Sequence, residues 1–166
     1  MTPDSRTRTF TWHDPITGAQ AARRLSGLDY LAAMSRGEYP LPPLMYTLGF
    51  DHLPPTVEPG KVTFYLEPQE YHYNPIGSVH GGVFAALLDS AMGCAVHSTL
   101  PVGVGYTTLE LKVNFVRPLT ASTGLVSCAG QALSGGRQVA TAEGRIVDAS
   151  GKLYAHATTT CLLLRP

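Results

Sequence analysis

The 166-residue sequence predicts an α+β fold: one long apolar helix wrapped by a curved antiparallel sheet. Three observations carry this. Residues from about His80 to Thr99 contain no proline, and Val83, Leu87 and Ala91, like Phe84, Leu88 and Met92, follow i, i+4 spacing. The stretches on either side of that run alternate apolar and polar residues, the period of a strand. A helix apolar on most sides cannot stay in water, so the sheet has to curl around it.

Residues 1–59 read as an N-terminal extension packed on the main fold, with prolines at Pro40, Pro42 and Pro43 and again at Pro54, Pro55 and Pro59. Leu25, Leu28, Leu31 and Ala32 predict a short amphipathic helix between Ala19 and Arg36. Gly27 weakens that helix, and Gly37 suits its C-terminal cap. "LMYTLGF", 44–50, allows a helical turn or two.

The main domain spans 60–166. "VTFYLE" is a strand with Val62, Phe64 and Leu66 on one face. "YHYNPIG" is a loop broken by Pro75 and Gly77. The long helix follows, with Ser78 placed to cap it. In "TLELKVNFV", Leu109, Leu111, Val113 and Phe115 alternate with Thr108, Glu110, Lys112 and Asn114. "GLVSCAGQAL", "QVATAEGRIVD" and "LYAHATTTCLLL" complete a four-stranded meander, with hairpin turns at "SGGR" and "ASGK".

Lys and Arg together number 12, as do Asp and Glu, so net charge is zero. That argues against nucleic acid or an anionic membrane as the main partner. Charged residues are only 14% of the chain, which leans toward surface hidden in an oligomer. No apolar run reaches the ~18–20 residues of a membrane span. The opening "MTPDSRTRTFTWHDP" has no apolar core of a secretory signal, so a cytoplasmic protein is expected. Cys94, Cys128 and Cys161 read as small buried hydrophobes, and neither they nor the six histidines show metal-ligand spacing. There is no Gly-x-Ser-x-Gly, phosphate loop or dinucleotide fingerprint. No metal and no cofactor are expected.

The chemistry concentrates in "NPIGSVHGGVFAALLDSA", 74–91. Gly81 and Gly82 fall in the first helical turn, where backbone N–H groups lack internal partners and the dipole end is positive. Without side chains, the two glycines leave those donors open to an anion or a developing oxyanion. They also suit a helix entering a tight space. Asp89 is a poor helix former lying among Gly82, Ala85, Ala86, Gly93 and Val96, mostly small residues that leave room for another body. A rise of 1.5 Å per residue separates Gly81 from Asp89 by about 12 Å. If both act on one atom, two antiparallel helices must meet, which predicts a two-fold dimer with shared sites. Asn74 either orients a substrate or supports its turn. His80 and His72 read as structural or orienting, each lacking an acidic partner in sequence.

The combination of Asn74, "HGG" at 80–82 and Asp89 resembles the signature of the PaaI-like branch of hotdog-fold acyl-CoA thioesterases. "YTTLELKVNFVRPL", "GGRQVATAEGRIVD" and "GKLYAHATTT" are similar to that family too, so the likeness covers about residues 60–164. The resemblance implies a hotdog fold, a homodimer or dimer-of-dimers homotetramer, and an acyl-CoA substrate with no separate cofactor. It implies Asp89 as the catalytic carboxylate, acting as base on water or as nucleophile. It implies Gly81 as the N–H donor to the thioester oxygen, Asn74 near the carbonyl, His80 in support, and Thr108, or Thr107 beside it, positioning water or the acid. The carboxylate then comes from the opposite subunit to Gly81 and Asn74. For the CoA moiety, Gly82 joins Arg117 and Arg137, with Arg145 and Lys152 behind them; Phe84, Tyr46 and Phe50 are acyl-pocket candidates. The competing expectation is a non-catalytic hotdog protein that binds acyl-CoA or a small ligand. Asp89 favours hydrolysis, because an apolar groove needs no carboxylate there.

Overall fold

The computed structural model describes residues 4–165. Three helices come first: α1 (Pro15–Arg24), α2 (Gly27–Ser35) and α3 (Pro43–Leu48). Strands β1 (Thr56–Glu58) and β2 (Lys61–Leu66) lead to the long helix α4 (Gly81–His97). Then follow β3 (Gly105–Phe115), β4 (Val126–Gly135), β5 (Val139–Asp148) and β6 (Leu153–Leu164).

All six strands form one antiparallel sheet in the order β1-β2-β4-β5-β6-β3. The four-stranded meander expected after the helix is therefore corrected. Only β4, β5 and β6 run as a meander, while β3 crosses to the far side of β6 and ends as a sheet edge. That placement lets the sheet reach around α4, which packs against β2, β3, β4, β5 and β6.

Leu87, Leu88, Ala91, Met92, Ala95 and Val96 of α4 are fully buried. Burying a leucine this way contributes roughly 1.5–3 kcal/mol. β4 comes so close to the helix that a Cβ on Gly130 would overlap the Ala91 backbone. This close approach explains the imperfect alternation of "GLVSCAGQAL".

The single helix expected between Ala19 and Arg36 is two. Ser26 breaks it by accepting the Asp29 N–H at 3.1 Å, as an N-cap does. Gly27, rather than weakening a helix, begins α2, its N–H bonded to the Leu100 carbonyl at 3.0 Å. A Cβ there would overlap the His97 carbonyl at the end of α4. Gly37 and Gly49, both at positive φ, close α2 and α3. Further bonds tie the extension down. Ser35 donates to the Pro55 carbonyl at 2.6 Å, and the Arg8 guanidinium donates to the carbonyls of Tyr46 and Thr47 at 2.6 and 2.5 Å. His72 accepts the Gln69 N–H on Nδ1 at 3.0 Å and donates from Nε2 to the Leu48 carbonyl at 2.7 Å. Only a neutral imidazole does both.

β3 departs from simple alternation. Thr108 pairs with Cys161 and Glu110 with Thr160, so Leu109 is an extra residue in a bulge. The Thr159 hydroxyl donates to the Glu110 carbonyl there at 2.7 Å. The bulge changes phase mid-strand. Tyr106 joins Leu111 and Val113 in packing on the core, while Thr107, Leu109 and Glu110 face solvent. The expected grouping of Leu109 with Leu111, and of Thr108 with Glu110, is thus corrected. Among the described residues no helix is long and apolar enough to cross a membrane.

Candidate active site

The α4 N-terminus differs from expectation in one respect. Its N-cap is His80, not Ser78. Ser78 is held back in a turn built by Asn74, whose Oδ1 accepts the N–H groups of Ile76 at 3.1 Å and Ser78 at 3.2 Å. The Asn74 amide nitrogen donates to Ser78 Oγ at 3.2 Å. His80 Nδ1 accepts the Gly82 N–H at 2.8 Å, so that donor is committed within the chain. The Gly81 N–H makes no hydrogen bond among the described residues. Phe115 lies over Gly81, where a Cβ would sit 3.1 Å from its ring, and meets Phe84 edge-on at 5.5 Å.

Gly81, Asn74, Phe84, Phe115 and Arg117 line an open cavity of about 340 Å³. Arg117 donates to the Leu153 carbonyl at 2.6 Å, which steadies its guanidinium at the rim. Arg137 lies at the β4–β5 hairpin and lines neither this cavity nor the one that holds Asp89.

Asp89 is half-buried on α4 and opens into a second cavity of about 260 Å³. Thr108 Oγ1 donates to its Oδ1 at 2.8 Å. Of the two adjacent threonines, the bulge aims Thr108 at the acid and leaves Thr107 in solvent. Among the described residues the carboxylate has no other hydrogen-bond partner. Ser90, Cys94 and His97 of α4 line the same cavity, as does Tyr106 of β3. Gly93 makes room for Tyr106, since a Cβ would lie 2.6 Å from the phenol oxygen. That end of the small-residue stripe is thus filled within the chain, whereas Ala85, Ala86 and Asp89 stay partly open.

Burial decides the protonation of the neighbours. It pushes the Cys94 thiol up to about 12, with the nearby Asp89 adding to the effect. It also raises Tyr106 well above the ordinary phenol and Tyr30 less so, and it lowers His97. Among the described residues Asp89 is the one carboxylate in this apolar cavity.

The rest of the wall comes from the extension: Tyr30, Leu31 and Met34 of α2, Met45 of α3, and Phe50. Phe50 packs edge-on against Phe64 at 6.0 Å. Of the acyl-pocket candidates, Phe50 lines the Asp89 cavity, Phe84 lines the Gly81 cavity, and Tyr46 lines neither. Sequence reasoning missed Ser90, Cys94, His97 and Tyr106. The first three were findable as a row of their own, because i, i+4 and i+7 share one face of a helix, here set about 100° round from Asp89. Tyr106 was hidden by the bulge.

Gly81 and Asp89 thus occupy separate cavities of one chain, consistent with their ~12 Å separation along the helix. A carboxylate held by a hydroxyl beside an apolar chamber, and a free helix N-terminal N–H beside another, can act on one carbonyl only across two chains.

Comparison with known proteins agrees with this architecture. The thioesterase superfamily model matches residues 76–155. The crystal structure of a thioesterase-like, phenylacetic acid degradation-related protein from Ralstonia eutropha JMP134 superposes with a TM-score of 0.69 at 33% identity, over 80% of this chain and 98% of that one. Acyl-coenzyme A thioesterase 13 of Homo sapiens is 28% identical over 102 residues, 61% of this chain and 72% of that protein. A protein named as an esterase in Halobacterium salinarum is 43% identical over 56 residues, 32% of this chain; the match spans only 37% of that relative's length. The chain belongs to the thioesterase superfamily, in its PaaI-like hotdog branch.

Proposed function

We propose that this protein hydrolyses an acyl-CoA thioester to a free carboxylic acid and coenzyme A, in a two-fold homodimer or a homotetramer built from such dimers. The observation that carries the reading is the Thr108-held Asp89 at an apolar cavity, on the same helix as an unengaged Gly81 N–H in another. Gly81 of one subunit donates to the thioester oxygen and stabilises the oxyanion. Asp89 of the other takes a proton from water, whose oxygen adds to the carbonyl carbon. The C–S bond then breaks, and the CoA sulfur leaves with a proton. Asn74 and His80 act indirectly here, by fixing the turn and the helix start that present Gly81. Arg117 beside the Gly81 cavity is suited to a CoA phosphate. The reaction needs no cofactor.

Two features support the dimer. β3 is an 11-residue edge strand whose Leu109 and Phe115 are both more than half exposed. Long apolar edges of this kind are normally covered. Ala85, Ala86 and Asp89 leave a low stripe on α4 for a second helix.

The test is Asp89→Asn assayed on aryl and aliphatic acyl-CoAs. Turnover should fall by about 10²–10⁴-fold, the usual weight of a general base, with dimerisation and ligand binding retained. A variant as fast as the unmodified enzyme across the panel overturns the assignment.

A further inference from the structure

The Asp89 cavity is a chamber with an end. Ser90, Cys94 and His97 form one row along α4 and Asp89 stands beside the start of that row; all four line the chamber, which therefore extends along the helix from the level of the carboxylate to that of the imidazole. At its far end His97 and Tyr106 form a partition, their rings 5.5 Å apart. Beyond the partition lies another cavity, also about 260 Å³, lined by those two side chains and by Ala19, Ala22, Arg23 and the Gly103–Gly105 turn. The same two rings line both cavities.

We infer that His97, backed by Tyr106, is the stop that limits acyl-chain length. This rests on the proposed thioesterase reading and specifies its substrate: an uncharged, apolar acyl group of medium length. Eight residues of helix place His97 about 12 Å beyond Asp89. An extended chain advances roughly 1.3 Å per C–C bond of ~1.5 Å, so about eight to ten carbons fill the distance. Among the described residues no lysine or arginine lines the chamber, and burial lowers the His97 pKa and favours the neutral ring, so an acyl tail ending in a carboxylate meets no cation there. The wall opposite α4 is fixed, because Leu31, Met34, Met45 and Phe50 are each at most 3% exposed. Tyr30 packs on the His97 ring as well, their centroids 5.9 Å apart.

The experiment measures kcat/KM for straight-chain acyl-CoAs from four to sixteen carbons, and in parallel the affinity of the matching free fatty acids by calorimetry. In the unmodified protein each added methylene should improve kcat/KM about fourfold up to the stop, then none. His97→Ala should join the cavities and raise the ratio of sixteen- to eight-carbon substrate at least tenfold. Ala22→Trp, placed on His97→Ala, fills the far cavity and should restore the original ratio. A length profile unmoved by His97→Ala overturns the proposal. So does a tenfold preference for an ω-hydroxyacyl chain over the apolar chain of equal length, which would mean that His97 reads polarity. If the unmodified protein binds the fatty acids with the predicted cutoff but hydrolyses no acyl-CoA, the thioesterase reading fails and the length stop stands. Absence of both binding and turnover overturns the stop.

Discussion

Thr108 donates a 2.8 Å hydrogen bond to the Asp89 carboxylate from a strand position that simple alternation would turn outward. A hydrogen bond to a charged group contributes about 1.5–3 kcal/mol, a factor of roughly ten to a hundred if it is needed in the transition state. Thr108→Ala should therefore lower kcat by that factor with little change in KM. Thr108→Ser should recover most of it, and Thr107→Ala should remain within about twofold of the unmodified enzyme. Steady-state kinetics on the three variants checks this; equal losses at 107 and 108 would contradict the geometry.

Subunit mixing tests whether one site draws on two chains. Gly81→Pro deletes the one N–H that matters at a helix position whose backbone suits proline, with the tip of the Phe115 ring giving way to the new side chain. His80, at φ −63° and ψ 138°, already has the extended backbone that proline requires of its predecessor. Gly81→Pro and Asp89→Asn homodimers should both be inactive. A purified mixed dimer holds one site with both defects and one with none, so about half of the full activity should return. A mixed dimer as inactive as its parents would show that the two groups do not meet across the interface.

Stability should fall on mild acidification. Burial, reinforced by the Arg8 charge, lowers the His72 pKa, and burial alone lowers that of His97. The unfolded chain, with histidines near 6.5, then binds more protons than the folded one just below that value. Stability is retained above about pH 6.5 and drops as the pH falls through the window beneath it. Urea midpoints between pH 5 and 8 check the sign, and His72→Gln should flatten the dependence in part. A midpoint that rises on acidification refutes it.

Packing of β4 on α4 gives a sharper contrast. Gly130→Ala forces a methyl into the Ala91 backbone and should cost about 3 kcal/mol or more. Gly135→Ala meets open space at the end of β4 and should change stability by less than about 1 kcal/mol. Chemical denaturation of both variants measures the difference.

The sequence was most informative where periodicity is long. The α4 pattern, the alternation of β2 and the glycine after α2 were all legible, because each follows from local rules. What escaped was set by distant partners. Gly27 looked like a helix breaker until the His97 carbonyl lay beside it. Asn74 and Gly82 looked available for a ligand, but Ser78 and His80 already engage them. The position of β3 beside β6 is a choice of crossover that strand patterns do not encode. The extension's role as a cavity wall depends on tertiary placement of Leu31, Met34 and Met45, whose spacing alone says only that they are buried.

The bulge at Leu109 has a consequence for tolerance to error. It sits immediately after two threonines, of which only the second faces Asp89. Were the strand to lose its irregularity with Glu110 still opposite Thr160, Leu109 would fall opposite Cys161 in the place of Thr108, and Thr108 would turn to the solvent face. One surplus residue at a sheet edge therefore sets a hydroxyl, and not a leucine side chain, against the acid.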